Sequence, residues 1–185
     1  MMFWAMSKVI NINTYNPVAG EDLLFDNNVW IYLFLPMQNT NKFKQRQYSG
    51  FLKKVQTVGA TIWINALVLS EFCNAWMKIE FKNWKKKSEN LAKTDYKRDF
   101  VKSEQYNETV KEIKEILPQI MKITTRGSDD FHKIDIEHVL NLLETSDFND
   151  SYYLELAKMN NWTIVTDDAD FFDNSAVNIV TANIK

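Results

Sequence analysis

The chain has little of what most catalytic and redox folds are built from. A lone cysteine, Cys73, excludes a disulfide framework and favours a reducing compartment. Two histidines, with that cysteine, cannot assemble a His/Cys zinc site, so any metal must be held by oxygen. Four glycines and three prolines over 185 residues leave no glycine-rich phosphate loop and no dinucleotide fingerprint. No Ser/His/Asp nucleophile set is visible either. No run of 18 apolar residues occurs, which excludes a membrane helix, and the start MMFWAMSKVI lacks a charged n-region and a cleavage site. A cytoplasmic address follows as the expectation.

What is present is a body of one-domain size, 45% hydrophobic and 14% aromatic with 6 Trp. The net charge of -2 hides a lopsided distribution. Between Lys78 and Lys102 stand nine Lys/Arg against four Asp/Glu; between Asp129 and Asp173, twelve Asp/Glu against two Lys. Such a pair of segments suits an enzyme that attracts phosphate with one part and binds cations with the other, and equally suits two solvated helical faces.

Elements alternate along the chain. Residues 1 to 20 have weak periodicity and read as an arm ending in a Pro17–Gly20 turn. Leu23-Leu24-Phe25 is a short apolar run that stops at Asp26, before a helix over 29–35. A basic helix is expected over 43–58, and the β-branched and aromatic strand Thr61-Ile62-Trp63-Ile64 follows. A long helix over 66–87 puts Phe72, Trp76 and Ile79 on one face, with Glu71 on its flank. Residues 82–130 form a charged helical insertion. Asp150 opens a helix that turns at Asn160-Asn161 into a strand over 162–166, which empties into Asp167, Asp168 and Asp170. A last strand is expected over 177–181. The alternation points to a three-layer α/β/α domain spanning residues 1–185 with a central, mostly parallel sheet.

Ligand sites in open α/β sheets lie beyond the carboxyl ends of the strands. Asp26, Glu71, Asp150 and Asp168 can all converge there. Taken singly, Asp26 also serves as a helix N-cap, and Glu71 early in a helix suits the macrodipole. Pooled in one pocket, four carboxylates repel unless they take up protons or a hard cation, of which Mg²⁺ and Mn²⁺ accept such ligands.

The blocks LLFDNNVWIYLF, ALVLSEF and NDSYYLELAKMNNWTIVTDDADF resemble the successive motifs of the PIN domain, a nuclease fold found in many bacterial toxin ribonucleases. The resemblance implies that Asp26, Glu71, Asp150 and Asp168 are the metal-binding catalytic acids, with Asp170 as a fifth ligand and Thr166 orienting the strand end through its hydroxyl. Asn27 stands where the family often has Thr or Ser, which alters a contact near the metal. The resemblance further implies a Mg²⁺- or Mn²⁺-dependent endoribonuclease with RNA as substrate, and an antitoxin protein or a second copy of the chain as partner. The alternative is a non-catalytic RNA- or partner-binding protein that keeps the fold.

Overall fold

The computed structural model describes residues 9–35, 41–87, 95–173 and 177–184. Six strands form one sheet: β1 (Val9–Asn11), β2 (Asp22–Phe25), β3 (Thr61–Ile64), β4 (Thr125–Arg126), β5 (Thr163–Val165) and β6 (Ile179–Thr181). Their order is β1-β6-β5-β2-β3-β4, and every neighbouring pair is parallel. Among the described residues six α-helices flank the sheet: α1 (Asn27–Phe34), α2 (Lys42–Val58), α3 (Ala66–Lys85), α4 (Glu104–Ile123), α5 (Ile136–Leu142) and α6 (Phe148–Asn160).

The middle strands are apolar on both sides, as a covered parallel sheet requires. Leu23, Leu24 and Phe25 of β2, Ile164 and Val165 of β5, and Ile179 and Val180 of β6 are all sealed from solvent. Helix ends are written into the sequence. The side chain of Asn65 accepts a bond from the Val68 amide to open α3, and that of Asp147 accepts from Asp150 to open α6. Gly59 (φ 72°) and Asn161 (φ 55°) close α2 and α6 in the left-handed conformation and aim the chain into β3 and β5. Phe72 and Trp76 of α3 lie in the core, on the face that their spacing indicates.

Two segments differ from the sequence expectation. Residues 9–11, expected within an arm, are the edge strand β1, paired with β6 from Val9↔Ile179 to Asn11↔Thr181. The expected insertion over 82–130 ends in β4, which adds to β3 through Trp63↔Thr125 and Ile64↔Arg126. Before it, a π-helical turn at Tyr96–Phe100 precedes α4, whose N-cap is Ser103. Phe81, Trp84, Tyr96, Phe100 and Tyr106 form a ring cluster with centroids 5.2 to 6.3 Å apart, which ties this segment to the end of α3. Trp84 is therefore spent on packing. Residues 88–94, in the Lys-rich stretch, lie outside the described residues. No helix among the described residues is long and apolar enough to cross a membrane.

Candidate active site

The site follows from strand order. β2 lies between β3 and β5, and the register Phe25↔Val165 sets the residues after those two strands side by side. The Asp26 amide donates to the Val165 carbonyl at 3.0 Å, continuing the ladder one residue past the strand. Thr166, fully buried, then donates its hydroxyl to Asp26 Oδ2 at 2.7 Å. The same hydroxyl oxygen accepts the Asp168 amide at 3.0 Å. One side chain thus holds both strand ends together.

Asp26 is 4% exposed and also caps α1, accepting the Asn27 amide at 2.6 Å. The N-cap role and the site role are therefore one geometry. Asn28 completes the frame: its Nδ2 donates to Asp26 Oδ2 and, at 3.0 Å, to Thr166 Oγ1, while its Oδ1 accepts the Asp167 amide at 2.9 Å. Asn27 contributes its backbone; its own Oδ1 is buried and has no hydrogen-bond partner among the described residues.

The other two acids arrive on helices. Glu71 lies in the second turn of α3, and Asp150 in the first turn of α6. Tyr153, one helical turn after Asp150, donates its hydroxyl to Glu71 Oε2 at 2.8 Å and so joins α6 to α3 across the site. Asp150, Asp168 and Asp170 bring carboxylate oxygens within 4.8 Å of one another.

The electrostatics of these groups are linked. Burial pushes the Asp26 carboxyl from 3.8 up to about 7, and the charges of Glu71 and Asp168 add to it; the hydrogen bonds from Thr166 and Asn27 pull the other way. Asp150 is pushed up to about 8, by burial first and then by Asp26, Asp147, Asp168 and Glu71. Glu71 is raised by burial and by Asp147, against the hydrogen bonds of Tyr153 and Asn149 and the charge of Lys78. Asp150 and Asp168 belong both to this mutually repelling set and to the oxygen cluster with Asp170. An all-oxygen donor set whose members resist carrying their charges together fits a hard divalent cation.

Asp167 has a different task. Its carboxylate takes the Lys44 ammonium at 2.7 Å and the hydroxyls of Tyr48 at 2.8 Å and Tyr32 at 3.1 Å. That anchor turns Asp167 toward α1 and α2 while its neighbours Thr166 and Asp168 bond each other. Sequence reasoning did not single out Asn28, Tyr153, Lys44 or Tyr48. For Asn28 and Tyr153 a signal existed, since each stands two or three residues from a candidate acid; the partners from α2 lie more than a hundred residues away from Asp167.

Residues 23–177 match the PIN domain family. Among solved structures, the chain resembles VapBC2 from Rickettsia felis, crystallised bound to a DNA fragment from their promoter. The TM-score is 0.54 at 14% sequence identity, covering 86% of this chain and 97% of that one. It also resembles FitAcB from Neisseria gonorrhoeae, with a TM-score of 0.50 at 13% identity and coverage of 86% and 97%. At such identities the likeness is one of fold. No curated protein matches the chain. The family match runs from the strand that delivers Asp26 to the residues just before β6, and so takes in the whole carboxylate frame: the chain belongs to the PIN domain family.

Proposed function

We propose that this PIN domain is a Mg²⁺- or Mn²⁺-dependent endoribonuclease. The observation that carries the reading is the meeting of carboxylate oxygens of Asp150, Asp168 and Asp170 within 4.8 Å at the carboxyl edge of the sheet, beside Asp26, which Thr166 ties to the Asp168 amide. Asp150, Asp168 and Asp170 would hold the cation with Asp26, and Glu71 would complete the negative pocket. When bound, the ion supplies a Lewis acid that lowers the pKa of water and offsets charge on a phosphodiester oxygen.

The chain's own contribution is to preorganise the acids. Thr166 and Asn28 both donate to Asp26 Oδ2 and the Asn27 amide donates to Oδ1, so the carboxylate need not reorient. Tyr153 does the same for Glu71 from the opposite helix. The Asp168 amide is held by Thr166 Oγ1, while Asp168 Oδ1 accepts the Asp170 amide at 3.0 Å, which fixes the backbone of the acidic turn.

The test is cleavage of RNA by purified protein with Mn²⁺, compared with Asp26→Asn and Asp168→Asn. Both variants should lose cleavage by orders of magnitude. Equal cutting by wild type and both variants would refute the reading. RNA binding with neither cleavage nor Mn²⁺ binding would favour the non-catalytic alternative.

A second reading, a toxin held by an antitoxin, has one observation in its favour. Phe131, Tyr152 and Phe148 stack in a row, with centroids 6.4 and 6.0 Å apart, and Phe131 and Phe148 remain 62% and 42% exposed. Leu140 and Leu143, 52% and 42% exposed, add apolar surface at α5. Co-expression with the neighbouring open reading frame tests it: no rescue of growth and no co-purification would count against it. Sedimentation of the protein alone would show whether a second copy covers that surface instead.

A further inference from the structure

α2 carries five cations, Lys42, Lys44, Arg46, Lys53 and Lys54, and no acid. Of these five, only Lys44 is in an ion pair with a described residue, Asp167. Arg46, Lys53 and Lys54 are exposed, and they share a helical stripe with Phe43, Gly50 and Thr57. Two cavities lie along that stripe. One, of about 340 Å³, is lined by Phe43, Arg46, Gly50 and Lys54 among others; the next, of about 350 Å³, by Gly50, Lys53, Lys54 and Thr57, with Asn16 and Pro17 opposite. They share Gly50 and Lys54, so together they make one groove.

Gly50 is the informative residue. A glycine inside a helix costs roughly 0.5–1 kcal/mol relative to alanine. Here a Cβ would meet nothing within 4 Å, so packing does not demand the glycine. Its missing side chain leaves open the floor of the groove where the two cavities meet.

The helix also has a direction. Its first turns are pinned beside the carboxylates by Lys44, whose partner Asp167 precedes Asp168, and its last residue leads through Gly59 to the opposite edge of the sheet at β3. Phe43, 65% exposed, stands at the end nearest the site.

We propose that this groove binds the sugar–phosphate backbone of single-stranded RNA leaving the carboxylate site. Arg46, Lys53 and Lys54 meet phosphates, Gly50 permits close approach of the strand, and Phe43 offers a face on which a base stacks. An unbalanced row of cations matches a polyanion, and an exposed ring among them suits a strand with bases better than an acidic peptide. The inference rests on the ribonuclease reading, but its test does not require turnover.

Binding of a labelled single-stranded RNA oligonucleotide is followed by fluorescence anisotropy in EDTA over a salt series. Replacing the three cations (Arg46→Gln, Lys53→Gln, Lys54→Gln) should flatten the log–log salt dependence by about 2, at about 0.7 per phosphate contact. The same arithmetic gives a loss of about 50-fold at about 0.15 M salt. Gly50→Leu should raise Tm through helix propensity and yet weaken RNA binding, which no folding defect explains. Those results support the groove whether or not the wild type cleaves. Cleavage by wild type with unchanged affinity and slope in the triple variant overturns the groove and leaves the catalytic reading intact. Loss of binding to a polyglutamate peptide, with RNA binding unchanged, overturns it in favour of a protein partner.

Discussion

Replacing Asp26 by Asn should make the metal-free protein more stable at alkaline pH while disabling the proposed metal site. The Asp26 carboxyl is 4% exposed and its pKa rises from 3.8 to about 7. At about 1.4 kcal/mol per pKa unit, ionising it in the fold costs about 4 kcal/mol. The sign follows from linkage: the folded state holds the proton more tightly than the unfolded chain. Its contribution is therefore fully present below pH 3.8 and is lost as pH rises through about 7. Asparagine has no charge to bury. It keeps an acceptor for the Asn27 amide, at 2.6 Å in the wild type, but sets its own amide nitrogen against that of Asn28. That mismatch costs about 1–3 kcal/mol.

The balance at pH 8.5 in EDTA is a gain of about 1–3 kcal/mol, or on the order of 5 °C in Tm for a chain of this size. At pH 3, where the carboxyl is protonated in the folded and the unfolded chain alike, the same variant should be less stable by the mismatch alone. Calorimetric scans of both proteins at the two pH values should therefore cross. Adding Mn²⁺ at pH 8.5 should stabilise the wild type by about 2.7 kcal/mol at a hundredfold excess over Kd, and the variant much less. Parallel pH–Tm curves, or equal gains with Mn²⁺, would refute the claim that burial and like charge strain this carboxylate until a cation relieves it.

Three further outcomes follow from the same contacts. Thr166→Val removes the hydroxyl that bonds Asp26 and receives the Asp168 amide, and calorimetric titration should show Mn²⁺ affinity reduced by about 10–100-fold. Tyr153→Phe leaves Glu71 Oε2 without its 2.8 Å donor; chemical denaturation should record a loss of about 1–3 kcal/mol, with reduced cleavage at unchanged RNA affinity. Lys44→Met leaves Asp167 without its cation in a part-buried setting and should cost about 2–3 kcal/mol of stability, yet Mn²⁺ affinity should stay within about twofold, since the proposed cation site leaves out Asp167.

How much of this was legible in the sequence depends on where each signal resides. β2 and β5 announce themselves because a strand covered on both faces is apolar, and the acids that follow them stand out against that background; β3 shows through its β-branched and aromatic residues. β1 and β4 send no such signal. With three and two residues, they exist through ladder bonds to β6 and β3, and Thr125 and Arg126 are exposed. The acidic turn after β5 is the harder case. Asp167 and Asp168 are the same residue type at adjacent positions, and local sequence cannot rank them. What separates them is tertiary: Lys44, Tyr48 and Tyr32 gather on Asp167, while Thr166 and Asn28 bind the backbone on either side of it. The same holds for Asp26, where capping and site geometry looked like rival explanations. Once β5 lies beside β2, the residue that caps α1 necessarily stands against Thr166, so a single carboxylate starts the helix and faces the other acids. Convergence of the four acids is thus a consequence of strand order, and any change that broke the β2–β5 pairing would scatter them before it altered a single carboxylate.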